Sequence, residues 1–125
     1  MDTAKVDIQA LHLEHRLWMN ELSFYADEIA FFEKGLGELV QKTNDRDAMA
    51  ELEQLQNQFI RQKEVLDELK HDIHLHEQAM SNFARFNENA KTYHDHGNMR
   101  EGMESFRKLY YELKGQFTRF MAKWI

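Results

Sequence analysis

The run IQALHLEHRLWMNELSFYADEIAFFEKGLGEL, residues 8–39, decides the fold. Within it Ile8, Leu11, His15, Trp18, Leu22, Tyr25, Ile29, Phe32, Leu36 and Leu39 recur at alternating steps of three and four. That spacing keeps one stripe of side chains on a single side of an α-helix, where a partner helix can cover it. The stripe predicts one helix over residues 5–42. Gly35 and Gly37 weaken its last turns without interrupting the stripe, and Thr43-Asn44-Asp45-Arg46-Asp47 supplies a turn with N-cap candidates.

The same periodicity returns in Leu52, Leu55, Phe59, Gln62, Leu66, Leu69, Ile73, His76, Met80, Phe83, Asn87 and Ala90, predicting a second helix over residues 47–90. Lys91-Thr92-Tyr93-His94-Asp95-His96-Gly97 reads as a break, after which Asn98 with Glu101 resembles a capping box. Met99, Met103, Phe106, Tyr110, Leu113, Phe117, Phe120 and Trp124 then give a third helix over residues 98–124. Proline is absent and there are only five glycines, so nothing breaks these stretches elsewhere. The expectation is an all-α fold: one helical-bundle domain over residues 1–125, antiparallel and up-down-up, because short connections make successive helices neighbours.

A third helix confined to residues 98–124 is too short to reach the tip of the hairpin formed by the first two. Phe24 to Val40 and Leu52 to Ile60 would then lack a third wall, with Phe24 and Phe31 adding a second apolar edge. Uncovered apolar surface of that kind marks an association site. It predicts a homodimer in which two hairpin tips complete a four-helix section; the alternative is a compact monomer whose helices bend or split.

A net charge of -6 argues against nucleic acid as the main partner, since phosphates must be neutralised by clustered Lys and Arg. No run of about 18 apolar residues suggests a membrane span, and Met1-Asp2-Thr3-Ala4-Lys5 does not resemble a secretory signal, so the expected location is cytoplasmic. Cysteine is absent, so any metal must live on nitrogen and oxygen ligands.

Histidines supply those ligands. Counting outward from a turn near Asn44 sets His12 and His15 on the first helix level with His76 on the second, with His15 and His76 both on the apolar stripes. Imidazoles converging from facing helices are how a bundle core holds a transition metal. His71 and His74 stand at nearly the same height; the heptad points them outward, and they join the site only if the helix is locally overwound. His94 and His96, in the expected loop, fall roughly 27 Å along the axis from His76 at a rise of ~1.5 Å per residue, out of reach within one straight-helix protomer.

The candidate metal ligands are therefore His12, His15 and His76, helped by His71 or His74. Imidazole-rich, sulfur-free sites favour copper or zinc, with iron third, over magnesium or calcium. Trp18, Tyr25, Tyr110 and Tyr111 would offer oxidisable neighbours, although aromatics on a stripe are ordinarily packing. The chain lacks the patterns of familiar metal bundles. It has one Glu-x-x-His, Glu68-Leu69-Lys70-His71, where carboxylate-bridged diiron proteins place two, and no His-Glu-x-x-His. The resulting function is transition-metal binding, for redox or dioxygen handling or for metal buffering. Two alternatives are a metal-free interaction module and a proton switch in which the histidines charge near pH 6.

Overall fold

The computed structural model describes the backbone of residues 8–83 and 89–125 and the side chains of residues 8–81 and 95–125. It is all-helical, with α1 at Ile8–Val40, α2 at Arg46–Phe83 and α3 at Asn89–Trp124. Asp45 caps α2: its Oδ1 accepts the Ala48 N–H at 3.0 Å, satisfying one of the donors that a helix start leaves open. α2 packs against both α1 and α3.

The apolar stripes become the core almost residue for residue. Leu11, His15, Trp18, Leu22, Tyr25, Ile29, Phe32, Leu36 and Leu39 are all buried on α1, and Leu52, Leu55, Phe59, Gln62, Leu66, Ile73, His76 and Met80 on α2. On α3 the buried set is Met103, Phe106, Tyr110, Leu113, Phe117 and Phe120. The side chains of Phe83, Asn87 and Ala90, placed on the second stripe by periodicity, lie outside the described residues.

Two expectations are corrected. α3 does not begin near residue 98: it begins at Asn89, so His94-Asp95-His96-Gly97 is helix interior, and Asn98 and Glu101 lie within the helix and not at its start. The physical reason is that His96, Met99, Met103, Phe106 and Tyr110 already step by three and four, so the apolar stripe extends backward through a histidine. With 36 residues, α3 matches the 33 of α1 and the 38 of α2 and spans the hairpin to its tip. There the Phe117 ring lies 4.5 Å from Phe32 and 5.9 Å from Phe59, and Trp124 Nε1 donates to Glu51 at 2.8 Å. The tip therefore has its third wall, and Phe32, Leu36, Leu52 and Phe59 are buried within one chain.

Register between the parallel helices α1 and α3 is marked by a ladder of charges at seven-residue steps. Glu14 accepts from Arg100, Glu21 from Arg107 and Glu28 from Lys114, each pair separated by 86 residues. Half-exposed ion pairs of this kind contribute only about 0–1 kcal/mol each. Their constant offset nonetheless penalises a slip of one helix along the other, and the first pair brackets His96.

Candidate metal centre

α1 and α3 run parallel and α2 antiparallel to both, so each helix brings one stripe histidine to a common level. His76 stands as many residues before the end of α2 as His96 stands beyond the start of α3, so the hairpin between them folds the two rings together. His15 arrives from α1 at the height the α1–α2 turn dictates. One ligand nitrogen from each of His15, His76 and His96 lies within 4.8 Å of the others. Their ring centroids are 5.0 Å apart for His15–His76, 4.9 Å for His15–His96 and 5.6 Å for His76–His96. All three are sealed from solvent, at 2 %, 8 % and 1 % exposure respectively. Trp18 closes one side, stacked on His96 at 4.8 Å.

Carboxylates hold the outer edges of two of these rings. His15 Nδ1–H donates to Glu77 Oε1 at 2.6 Å, and His96 Nε2–H donates to Glu14 Oε1 at 2.6 Å. These bonds assign the tautomers, because a carboxylate only accepts. The nitrogens left over, His15 Nε2 and His96 Nδ1, then face each other 3.1 Å apart. In neutral rings both carry lone pairs, so a cation is required between them, either a proton on one ring or a metal ion. His76 Nε2 is also buried, with no hydrogen-bond partner among the described residues. Such an orphaned buried polar atom is costly unless something binds it.

Electrostatics favour neutral rings. Burial is the largest influence on His15, His76 and His96 and pushes all three below the ordinary histidine value, against the opposing pull of Glu77 on His15 and of Glu14 on His96. The hydrogen bond from Arg100, resisted by burial and aided by His96, holds Glu14 down to about 2. For Glu77 burial pushes upward, but hydrogen bonds from His15 and His12 prevail and keep it below the usual carboxylate range. Carboxylate–histidine pairs that fix the tautomer and raise ring basicity are the usual outer support of a metal site.

Of the residues expected from sequence, His15 and His76 meet in one buried cluster that could hold a metal ion. His12 stands beside it: its Nδ1–H donates to Glu77 Oε2 at 2.5 Å, so it buttresses the carboxylate shared with His15. His71 and His74 are exposed, and His74 lies 3.3 Å from the Gln78 amide. A cavity of about 290 Å³ lined by His15, Arg16, Met19, His74 and Glu77 flanks the cluster on this side. The placement of His96 is a correction: it was expected far along the axis, and the early start of α3 brings it into contact with His15. Glu14 and Glu77 were also missed, since their partners lie on other helices, where spacing along one helix carries no signal. His94 lies outside the described side chains. No protein-family pattern, curated protein or solved structure matches the chain. Among the described residues no helix is long and apolar enough to cross a membrane.

The depressed histidines have a consequence for stability. Unfolded rings take up protons near their ordinary value of 6.5, whereas the buried rings resist until lower pH. The unfolded chain thus binds more protons than the native one, and stability falls as pH drops below that value. Metal-free protein should show its urea midpoint falling between about pH 7.5 and pH 5.5. A midpoint that rises over that interval would contradict the burial of neutral imidazoles.

Proposed function

We propose that this protein is a transition-metal-binding helical bundle whose ion sits among His15, His76 and His96. The observation that carries the reading is that His15 Nε2 and His96 Nδ1 face each other bare while Glu77 and Glu14 hold the outer N–H groups, with the unpartnered His76 ring beside them. Nitrogen ligands of one ion with bonds of ~2.05 Å stand about 3.3 Å apart. The 3.1 Å His15–His96 pair already has that spacing, and a His76 ring nitrogen lies within 4.8 Å of a nitrogen on each of the other two. Three neutral imidazoles with no thiolate suit copper or zinc, with iron possible, and leave a further position open for a water or a small ligand. Redox or dioxygen handling and metal buffering are the roles such a site supports.

The test is equilibrium titration of untagged protein with copper(II) and with zinc, read by elemental analysis after gel filtration. One ion per chain, retained at micromolar protein, is expected. Protein that elutes free of both metals under those conditions removes the proposal.

A second reading concerns association and rests on a different observation. Leu13, Leu17, Phe24 and Phe31 form an exposed stripe on α1, with Phe31 71 % exposed. Self-association through this face predicts a dimer by sedimentation velocity, dispersed by the double substitution Phe24→Gln and Phe31→Gln with metal uptake retained. A wild-type protein that sediments as a monomer excludes it.

A further inference from the structure

Beyond the metal cluster, the bundle core carries a second polar layer that packing alone does not require. Tyr25 and Tyr110 are buried at 3 % and 0 % exposure with ring centroids 4.4 Å apart. Each hydroxyl is aimed at its own carboxylate: Tyr25 donates to Glu21 at 2.6 Å, and Tyr110 donates to Glu28. Each carboxylate is in turn clamped by a cation from α3, Glu21 by Arg107 and Glu28 by Lys114. Tyr111, 56 % exposed, makes edge contacts with both rings, at 6.3 Å to Tyr25 and 5.5 Å to Tyr110. At the other end Trp18, stacked on the candidate ligand His96, lies on the same helix stripe seven residues from Tyr25. That separation is about 10 Å at ~1.5 Å per residue, a span that electrons tunnel readily through packed protein.

We propose that Trp18, Tyr25, Tyr110 and Tyr111 form a redox relay that carries oxidising equivalents from the histidine site to the protein surface, with Glu21 and Glu28 as the proton acceptors. The inference rests on the metal reading above and adds a redox-active ion, copper or iron, and a co-reactant, hydrogen peroxide. The balance closes without further reagents. The O–O bond of one peroxide breaks as it takes two electrons and two protons and becomes two waters. The electrons come from Tyr25 and Tyr110 by way of Trp18, and the O–H bonds of the two phenols break. Their protons pass to Glu21 and Glu28, to be replaced at the waters from solvent, leaving two tyrosyl radicals. Tyr111 then gives up an electron to one buried radical and its own phenol proton to solvent, while the carboxylate returns its proton to the buried ring, so the oxidation comes to rest at the surface.

A buried phenol cannot be oxidised readily unless its proton has somewhere to go, since a phenol radical cation is far harder to form than a neutral radical. The two carboxylates meet that requirement. Burial, then the neighbouring carboxylate, raises both tyrosines, so each phenol keeps its proton until the electron leaves. An ordinary core position is filled as well by phenylalanine, which needs no carboxylate beneath it.

The experiment uses full-length protein loaded with one copper(II) or iron(III) per chain, mixed with one equivalent of hydrogen peroxide and freeze-quenched for electron paramagnetic resonance. A tyrosyl signal is expected. It should disappear in the Tyr25→Phe, Tyr110→Phe double variant, form several-fold more slowly in Trp18→Phe, and persist longer in Tyr111→Phe. Phenylalanine keeps the ring packing, and helicity by circular dichroism checks that each variant folds. Metal-loaded protein that gives no tyrosyl signal overturns the relay alone, as does a signal unchanged in the double variant. Protein that takes up neither ion overturns the relay together with the site that feeds it.

Discussion

Replacing His96 with alanine should weaken metal binding at least about 100-fold, since loss of a supporting outer partner already costs roughly 10–100-fold and a direct ligand contributes more. His15→Ala and His76→Ala should match it. His71→Ala and His74→Ala should leave affinity within a few-fold, because both rings face solvent. Glu14→Gln belongs between these limits, at about 10–100-fold, as the His96 ring would lose its charged acceptor while keeping its place. The measurement is competitive titration against a chelator of known affinity. Equal losses at His71 and His96 would move the site to the surface of α2 and contradict the buried cluster. Alanine at His96 also opens a cavity beside Trp18, so each variant is compared at a temperature where its circular dichroism shows it folded.

Phe117→Ala should destabilise the bundle by about 3–5 kcal/mol, the range for deleting a large aromatic from a packed core. Its ring touches Phe32 and Phe59 and lies 3.6 Å from where a Cβ on Gly35 would stand, so no neighbour can collapse into the space without moving a helix. Phe31→Ala, on the exposed face of the same α1 turn, should change stability by no more than about 0.5 kcal/mol. Urea unfolding followed by circular dichroism measures both. A Phe117→Ala cost below about 1 kcal/mol would mean that α3 does not wall the hairpin tip, and the dimer argument from an open tip would return.

Much of this architecture was readable from periodicity, because a helix buried on one side must repeat its apolar residues every three or four positions. The nine buried residues of α1 all lie on the stripe read from its sequence. The α1–α2 turn was also legible, and with it the meeting of His15 with His76, since a short polar segment rich in cap residues separates two uninterrupted stripes. The second connection was misplaced for a physical reason. A segment with two histidines, an aspartate and a glycine looks like a loop by composition, yet His96 occupies a buried stripe position and its outer N–H is met by Glu14 from another helix. Local polarity signals solvent exposure only where no partner on another helix receives it, and here Glu14 of α1 does. The shift of about nine residues then carried two errors with it, an α3 too short for the tip and a third histidine placed far from its partners. Glu14 and Glu77 were invisible for another reason: each pairs across a helix interface, and only the register between helices brings them to the rings.

Metal-soaked crystals measured at the absorption edges of copper and zinc test the central claim most directly. The account predicts one anomalous peak per chain in the bundle core, within about 2.0–2.1 Å of nitrogens from His15, His76 and His96. A peak confined to His71 or His74 on the outer face of α2, or a core with no peak at full soak, would contradict it.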